Sequence, residues 1–253
     1  MCGMDSSRLI ECLTDNFSLL RSAAVAAGPE AQVPSCPDWT VADLTRHVAQ
    51  VYLHKIECIR LGAFPDDWPE EIPADPLTAL DRYYGRLIET FTAHTPADPA
   101  ATWYEPDQTV GFWIRRMTQE TVIHRVDAEL AAGGAVSPIP ADLALDGVDE
   151  MLKLFVGYGS SHWKDDFGTL LDSPDPRPVS VSSSHHAWTL RANPGEVEVQ
   201  DAQTGFDGDA LVSGEPGPLL LWLWNRGGAD AVRLSGDQAL LDQFQALRTA
   251  ATQ

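Results

Sequence analysis

Apolar residues in the first 158 positions recur at steps of three and four, which is the spacing of one face of an α-helix. In the first such segment the stripe runs from Leu9 to Leu20, and Gly28 ends it. Helices of this length joined by modest loops predict a bundle of four to five helices. The predicted helices cover residues 7–27, 40–62, 75–91, 110–132 and 141–158.

The pattern changes beyond residue 159, where apolar and polar residues alternate in steps of two. This alternation predicts antiparallel strands, and the Asn-Pro-Gly sequence at residues 193–195 predicts a turn between two of them. Further strand and helix patterns follow. We therefore predict two domains, a helical bundle over residues 1–158 and a smaller α+β domain over residues 159–253.

The charge balance restricts the possible partners. Acidic residues outnumber basic ones by 37 to 17, which gives a net charge of -20. Such a surface repels a phosphate backbone, so we exclude nucleic acid as a partner. No run approaches the roughly 18 apolar residues of a membrane span, and the N-terminus lacks the profile of a secretion signal. We therefore expect a cytoplasmic protein without a membrane partner.

Several common site types are not encoded. The four cysteines lie in the first quarter of the chain without CxxC spacing, so neither a disulfide framework nor a cysteine zinc site is predicted. The GxSxG, GxGxxG and HExxH motifs are missing from the sequence. Their absence weighs against hydrolase-elbow, dinucleotide-binding and metalloprotease functions.

The fourth predicted helix carries a pair of residues that could bind a metal. Glu120 and His124 are four positions apart and therefore share one helix face. A third ligand from another helix would leave one coordination position open, as in catalytic zinc sites. His47 is the best candidate because it lies on the apolar side of the second helix, where an unpaired imidazole is costly. His54 lies on nearly the same face and could serve instead.

Other polar residues have both a functional and a structural interpretation. Asp127 could orient an imidazole ligand or be a solvated charge, and Arg116 could pair with Glu120. Arg226 ends an apolar helix, where it could cap carbonyl groups or bind an anionic substrate in a bidentate manner. His185 and His186 fall in a predicted strand, where adjacent residues face opposite sides and cannot readily share a ligand.

The sequence resembles a known family at three places. Residues 33–47, VPSCPDWTVADLTRH, look like the opening signature of the mycothiol-dependent maleylpyruvate isomerase family, whose N-terminal domain is a DinB-like bundle. Residues 113–129 are similar to the second signature of that family. The run at residues 219–226, with Gly236 and Asp237 after it, is similar to the family's C-terminal domain.

This resemblance implies a divalent metal, expected to be zinc, held by His47, Glu120 and His124. It also implies mycothiol, the low-molecular-weight thiol of actinobacteria, as cofactor or cosubstrate, with its sulfur bound as thiolate at the open metal position. Arg226 matches a family arginine and would bind the negative charge of the substrate across the domain cleft. The implied substrate is a small anionic electrophile.

Three functions are compatible with the resemblance. The first is cis-trans isomerisation of a maleylpyruvate type, or thiol conjugate addition. The second is a mycothiol S-transferase of specialised metabolism. The third is a metal-binding or ligand-binding member of the family without turnover. The sequence leaves self-association open.

Overall fold

The computed structural model describes residues 4–67, 73–203, 205 and 208–252. Its contacts divide the chain into two compact units, Met1–Pro138 and Ile139–Gln253. The predicted fold class is confirmed, with a helical first unit and an α+β second unit. No helix in the described part of the chain is both long and apolar enough to cross a bilayer.

Four α-helices build the first unit within the described residues. The closest packing is between α1 and α4, between α2 and α3, and between α2 and α4. The bounds are α1 Ser6–Ala27, α2 Val41–Leu61, α3 Pro76–Ala93 and α4 Val110–Ala131.

Side chains before each helix accept hydrogen bonds from its first backbone N–H groups. Asp5, Asp75 and Thr109 do so for α1, α3 and α4. At α2 the predicted capping box forms, because Thr40 accepts from the Asp43 N–H and Asp43 accepts from the Thr40 N–H. Each such cap stabilises a helix by about 1 kcal/mol, so α2 has a well-defined start about two turns before His47.

The helix α4 is buried on almost every side although it carries many polar residues. Buried polar groups are costly unless they are paired. The pairing of these groups, among them Arg116, His124 and Asp127, produces the candidate site described below.

The second unit opens with α5, Ala141–Glu150, which continues as a π-helix over Met151–Tyr158. Two short helices follow, α6 over Gly159–His162 and α7 over Lys164–Phe167. The sequence places this helical segment in the first domain, with a boundary at residue 158. In the structure α5 packs against α8, Pro216–Leu223, and the π-helix packs against β3. The contact boundary therefore falls at residue 138.

The described residues of the second unit also form a five-stranded sheet in the order β3-β2-β1-β4-β5. The antiparallel pairing of β1, β2 and β3 agrees with the alternation in the sequence, whereas β4 joins β1 in parallel. A helix, α9, spans Gln238–Ala250. The strands are β1 Val179–Ser183, β2 His186–Asn193, β3 Glu196–Ala202, β4 Ala210–Ser213 and β5 Arg233–Gly236.

The expectation that His185 and His186 share one strand is wrong for His185. Ser183 pairs with His186, so Ser184 and His185 form the two-residue turn between β1 and β2. Ser184 has a φ of 52°, in the left-handed region that tight turns use.

Candidate metal centre

Three side chains from two helices of the first unit converge on one point. His47 comes from α2, and Glu120 and His124 come from α4. The Nε2 atoms of His47 and His124 lie 3.4 Å and 3.1 Å from the same oxygen, Oε1 of Glu120. One ligand atom from each residue lies within 4.8 Å of the others.

These separations fit a metal ion. Ligand atoms about 2.0 Å from a tetrahedral zinc are about 3.3 Å apart. Two imidazoles and one carboxylate are also a ligand set that divalent zinc accepts, with one position left over. The three residues could therefore hold a divalent metal with only small side-chain adjustments.

The charges around Glu120 and His124 favour an ionised pair. Burial disfavours the charged carboxylate, but His124 and Arg116 outweigh this effect and hold the pKa of Glu120 well below its usual value. Burial also disfavours the imidazolium, but the carboxylates of Glu120 and Asp127 raise the pKa of His124 to about 9. A proton on His124 Nε2 thus occupies the place where a cation would bind, and a metal must displace it.

Asp127 fixes the orientation of the His124 ring. Its Oδ2 lies 2.9 Å from His124 Nδ1, and its Oδ1 accepts a hydrogen bond from the Ser35 hydroxyl. Asp127 is fully buried. With Nδ1 donating to a carboxylate, the neutral ring keeps its Nε2 lone pair towards His47 and Glu120, which is the tautomer that a metal requires.

Trp39 lies beside both imidazoles. Its ring centroid is 4.8 Å from that of His47 and 6.3 Å from that of His124. The segment between α1 and α2 holds it in place through backbone hydrogen bonds from Trp39 to Cys36 and from Val33 to Trp39. The indole therefore covers one side of the ligand cluster.

Sequence reasoning assigned no role to Ser35 or Trp39. Both lie in a loop, where helical spacing carries no information about direction. The only available signal was their place in the 33–47 segment that resembles the family signature.

His54, the alternative to His47, lies outside the cluster of three ligands. It is buried, with Nδ1 lying 3.0 Å from Lys55 Nζ and 3.5 Å from Cys58 Sγ. Burial, reinforced by the charge of Lys55, lowers the pKa of His54 to about 4. The structure therefore brings His47 rather than His54 to Glu120.

The two predicted arginines have different surroundings. Arg116 is buried and donates from Nη2 to Oε2 of Glu120, a pairing that its spacing allowed. Arg226 follows α8 in the second unit and is half-buried. Its Nη1 donates to the Trp224 carbonyl at 2.7 Å, a contact that matches the carbonyl-capping interpretation.

Two family models match the chain in succession. The model described as the mycothiol maleylpyruvate isomerase N-terminal domain matches residues 10–129, and the model of the corresponding C-terminal domain matches residues 142–243. The chain belongs to the mycothiol maleylpyruvate isomerase family. The contact boundary at residue 138 falls between the two family matches.

Solved structures of this family have the same fold. A crystal structure of the mycothiol-dependent maleylpyruvate isomerase is 14% identical to this family member, with a TM-score of 0.62 over 94% of this chain and 97% of that chain. A crystal structure of a histidine-to-alanine mutant of the mycothiol-dependent maleylpyruvate isomerase is 13% identical, with the same TM-score and coverage. No curated protein sequence is significantly similar to the chain.

Proposed function

We propose that this family member is a metal-dependent enzyme that uses mycothiol to isomerise a small anionic electrophile of the maleylpyruvate type. The observation that carries the proposal is the convergence of His47, Glu120 and His124 on one point. A structural site would need four protein ligands, whereas three leave a position for a reactant. The proposed metal is zinc, which suits imidazole and carboxylate ligands.

Residues next to the three ligands hold them in an orientation that suits a cation. Asp127 holds the proton on His124 Nδ1, so that Nε2 is directed to the metal position, and Arg116 holds Oε2 of Glu120. Trp39 lies against one side of the imidazoles. A divalent metal bound there would stabilise the thiolate form of mycothiol, which is the nucleophilic form, at neutral pH.

The proposed reaction is a reversible addition. The thiolate sulfur forms a bond to one carbon of the conjugated double bond, and the displaced electron pair moves to the neighbouring carbonyl as an enolate. The former carbon–carbon double bond is now a single bond, and rotation about it converts the cis arrangement into the trans arrangement. The carbonyl then forms again, the carbon–sulfur bond breaks, and the thiolate is regenerated. We assign to Arg226 the binding of the substrate carboxylate or of the enolate charge.

An incubation of the purified protein with zinc, mycothiol and maleylpyruvate tests this proposal. We expect the trans isomer to accumulate while the thiol concentration stays constant. Stoichiometric loss of thiol would instead indicate the S-transferase function. Metal binding without either reaction, under conditions in which mycothiol binds, would indicate a non-catalytic member. The matched control is His124→Ala, which should lose both metal and turnover.

A further inference from the structure

The two carboxylate oxygens of Glu120 have different partners. Oε1 lies towards the Nε2 atoms of His47 and His124, at 3.4 Å and 3.1 Å. Oε2 accepts a hydrogen bond from Nη2 of Arg116, one helical turn earlier on α4. The side chain of Arg116 is 6% exposed and that of Glu120 is 15% exposed, so the pair is largely shielded from water.

This arrangement bears on how Glu120 can bind a metal. A carboxylate can bind a cation through one oxygen or through both. Binding through both would turn the carboxylate, shift Oε2 relative to Arg116 and weaken a charge-assisted hydrogen bond to a buried guanidinium, which is costly. With Oε2 held by Arg116, Glu120 contributes one ligand atom, as His47 and His124 each do.

We infer that Arg116 is a positioning residue that keeps Glu120 a one-oxygen ligand and thereby keeps a coordination position open for a thiol. The inference rests on the proposed function, because it concerns the same metal site. An arginine suits this task because its planar donor group holds a carboxylate oxygen in a fixed direction. Without Arg116, Glu120 rotates to bind through both oxygens, so the metal stays bound and gains an additional ligand atom beside the position that a thiol needs.

Cobalt substitution tests the inference through coordination number rather than through turnover. Four-coordinate cobalt absorbs visible light more strongly than five-coordinate cobalt and far more strongly than six-coordinate cobalt, because d and p orbitals mix most in a tetrahedral site and an octahedral site has a centre of symmetry. We expect strong bands from the wild-type protein with one bound cobalt. We expect Arg116→Met to bind cobalt with bands several-fold weaker, and its affinity for mycothiol, titrated by thiolate-to-cobalt absorption, to fall by about tenfold or more.

The chain offers a matched control on the same helix. Arg125 also donates to a glutamate one turn away, since its Nη1 lies 2.8 Å from Oε2 of Glu129, and both side chains are buried. Arg125→Met removes the same kind of pair without touching the three ligands. We expect it to lower the free energy of unfolding and to leave the cobalt spectrum and the mycothiol affinity unchanged.

The outcomes separate this inference from the proposed function. A folded Arg116→Met protein with the wild-type cobalt spectrum and mycothiol affinity would overturn the inference alone. A wild-type protein that binds no cobalt would overturn both. If Arg116→Met does not fold, the zinc-loaded wild-type crystal structure decides: Oε1 on the metal and Oε2 on Arg116 supports the inference, and both oxygens on the metal refutes it.

Discussion

Removal of the Asp127 carboxylate tests how the site prepares His124 for a metal. Asp127 is fully buried and accepts hydrogen bonds from two groups, Nδ1 of His124 and the hydroxyl of Ser35. In Asp127→Ala both donors lose their acceptor. The ring of His124 can then place its proton on Nε2, which blocks the lone pair that faces His47 and Glu120.

The expected magnitudes follow from the number of hydrogen bonds that each variant retains. Groups that accept a hydrogen bond from the non-ligating nitrogen of a metal-bound histidine typically contribute 10- to 100-fold to metal affinity. We expect Asp127→Ala to reach the upper end, about 100-fold or about 2.7 kcal/mol. Asp127→Asn keeps one acceptor for His124, so we expect about tenfold. Ser35→Ala leaves the carboxylate in contact with His124, and we expect a loss of a few-fold.

The assay is a competition titration of zinc against a chromophoric chelator, with unfolding measured in parallel. Glu129→Gln is the control, because it alters a buried carboxylate on the same helix that pairs with Arg125 instead of a ligand. It should lower stability and leave zinc affinity within about twofold. Wild-type zinc affinity in Asp127→Ala, or an equal loss in Glu129→Gln, would refute the orienting role of Asp127.

Three further predictions concern proton binding and substrate charge. Zinc must displace the proton of His124, whose pKa is raised to about 9, so zinc affinity should rise about tenfold per pH unit below pH 9 and level off above it. Calorimetry in buffers of different ionisation enthalpy should detect about one released proton per zinc ion. A zinc affinity that does not depend on pH would contradict this prediction. The pKa of His54 is lowered to about 4, below its unfolded value of about 6.5, so its contribution to stability is complete above pH 6.5 and is lost as the pH falls towards 4. Urea unfolding should show wild type losing stability relative to His54→Gln over this interval, at no more than about 1.4 kcal/mol per pH unit, and parallel profiles would disprove it. Arg226→Ala should lower turnover by about 100-fold with its zinc content unchanged; loss of folding together with turnover would instead favour the carbonyl-capping role.

Helical periodicity is a local property, and it predicted the elements of the first unit well. The spacing of apolar residues and the caps at Thr40 and Asp75 set the bounds of α2 and α3 to within a few residues. Spacing also placed Glu120 and His124 on one face. It placed the boundary between the units at residue 158, whereas the contacts divide the chain at residue 138. The apolar face of the segment at residues 141–158 does not by itself show which unit the segment packs against, and tertiary contacts decide this.

The choice between His47 and His54 needed the relative position of two helices. Seven residues bring a side chain back to nearly the same face, but about 10 Å further along the helix axis. Only the packing of α2 against α4 determines which of the two is level with Glu120. Ser35 and Trp39 were beyond sequence reasoning for a related reason, since a loop has no period from which the direction of a side chain follows.

X-ray absorption at the zinc edge, with and without mycothiol, tests the central claim most directly. Without thiol we predict two imidazole nitrogens and light-atom oxygen ligands at about 2.0 Å, with no sulfur. Addition of mycothiol should introduce one sulfur at about 2.3 Å while both imidazoles remain. A zinc environment that contains no histidine, or one that gains no sulfur at saturating mycothiol, would contradict the account.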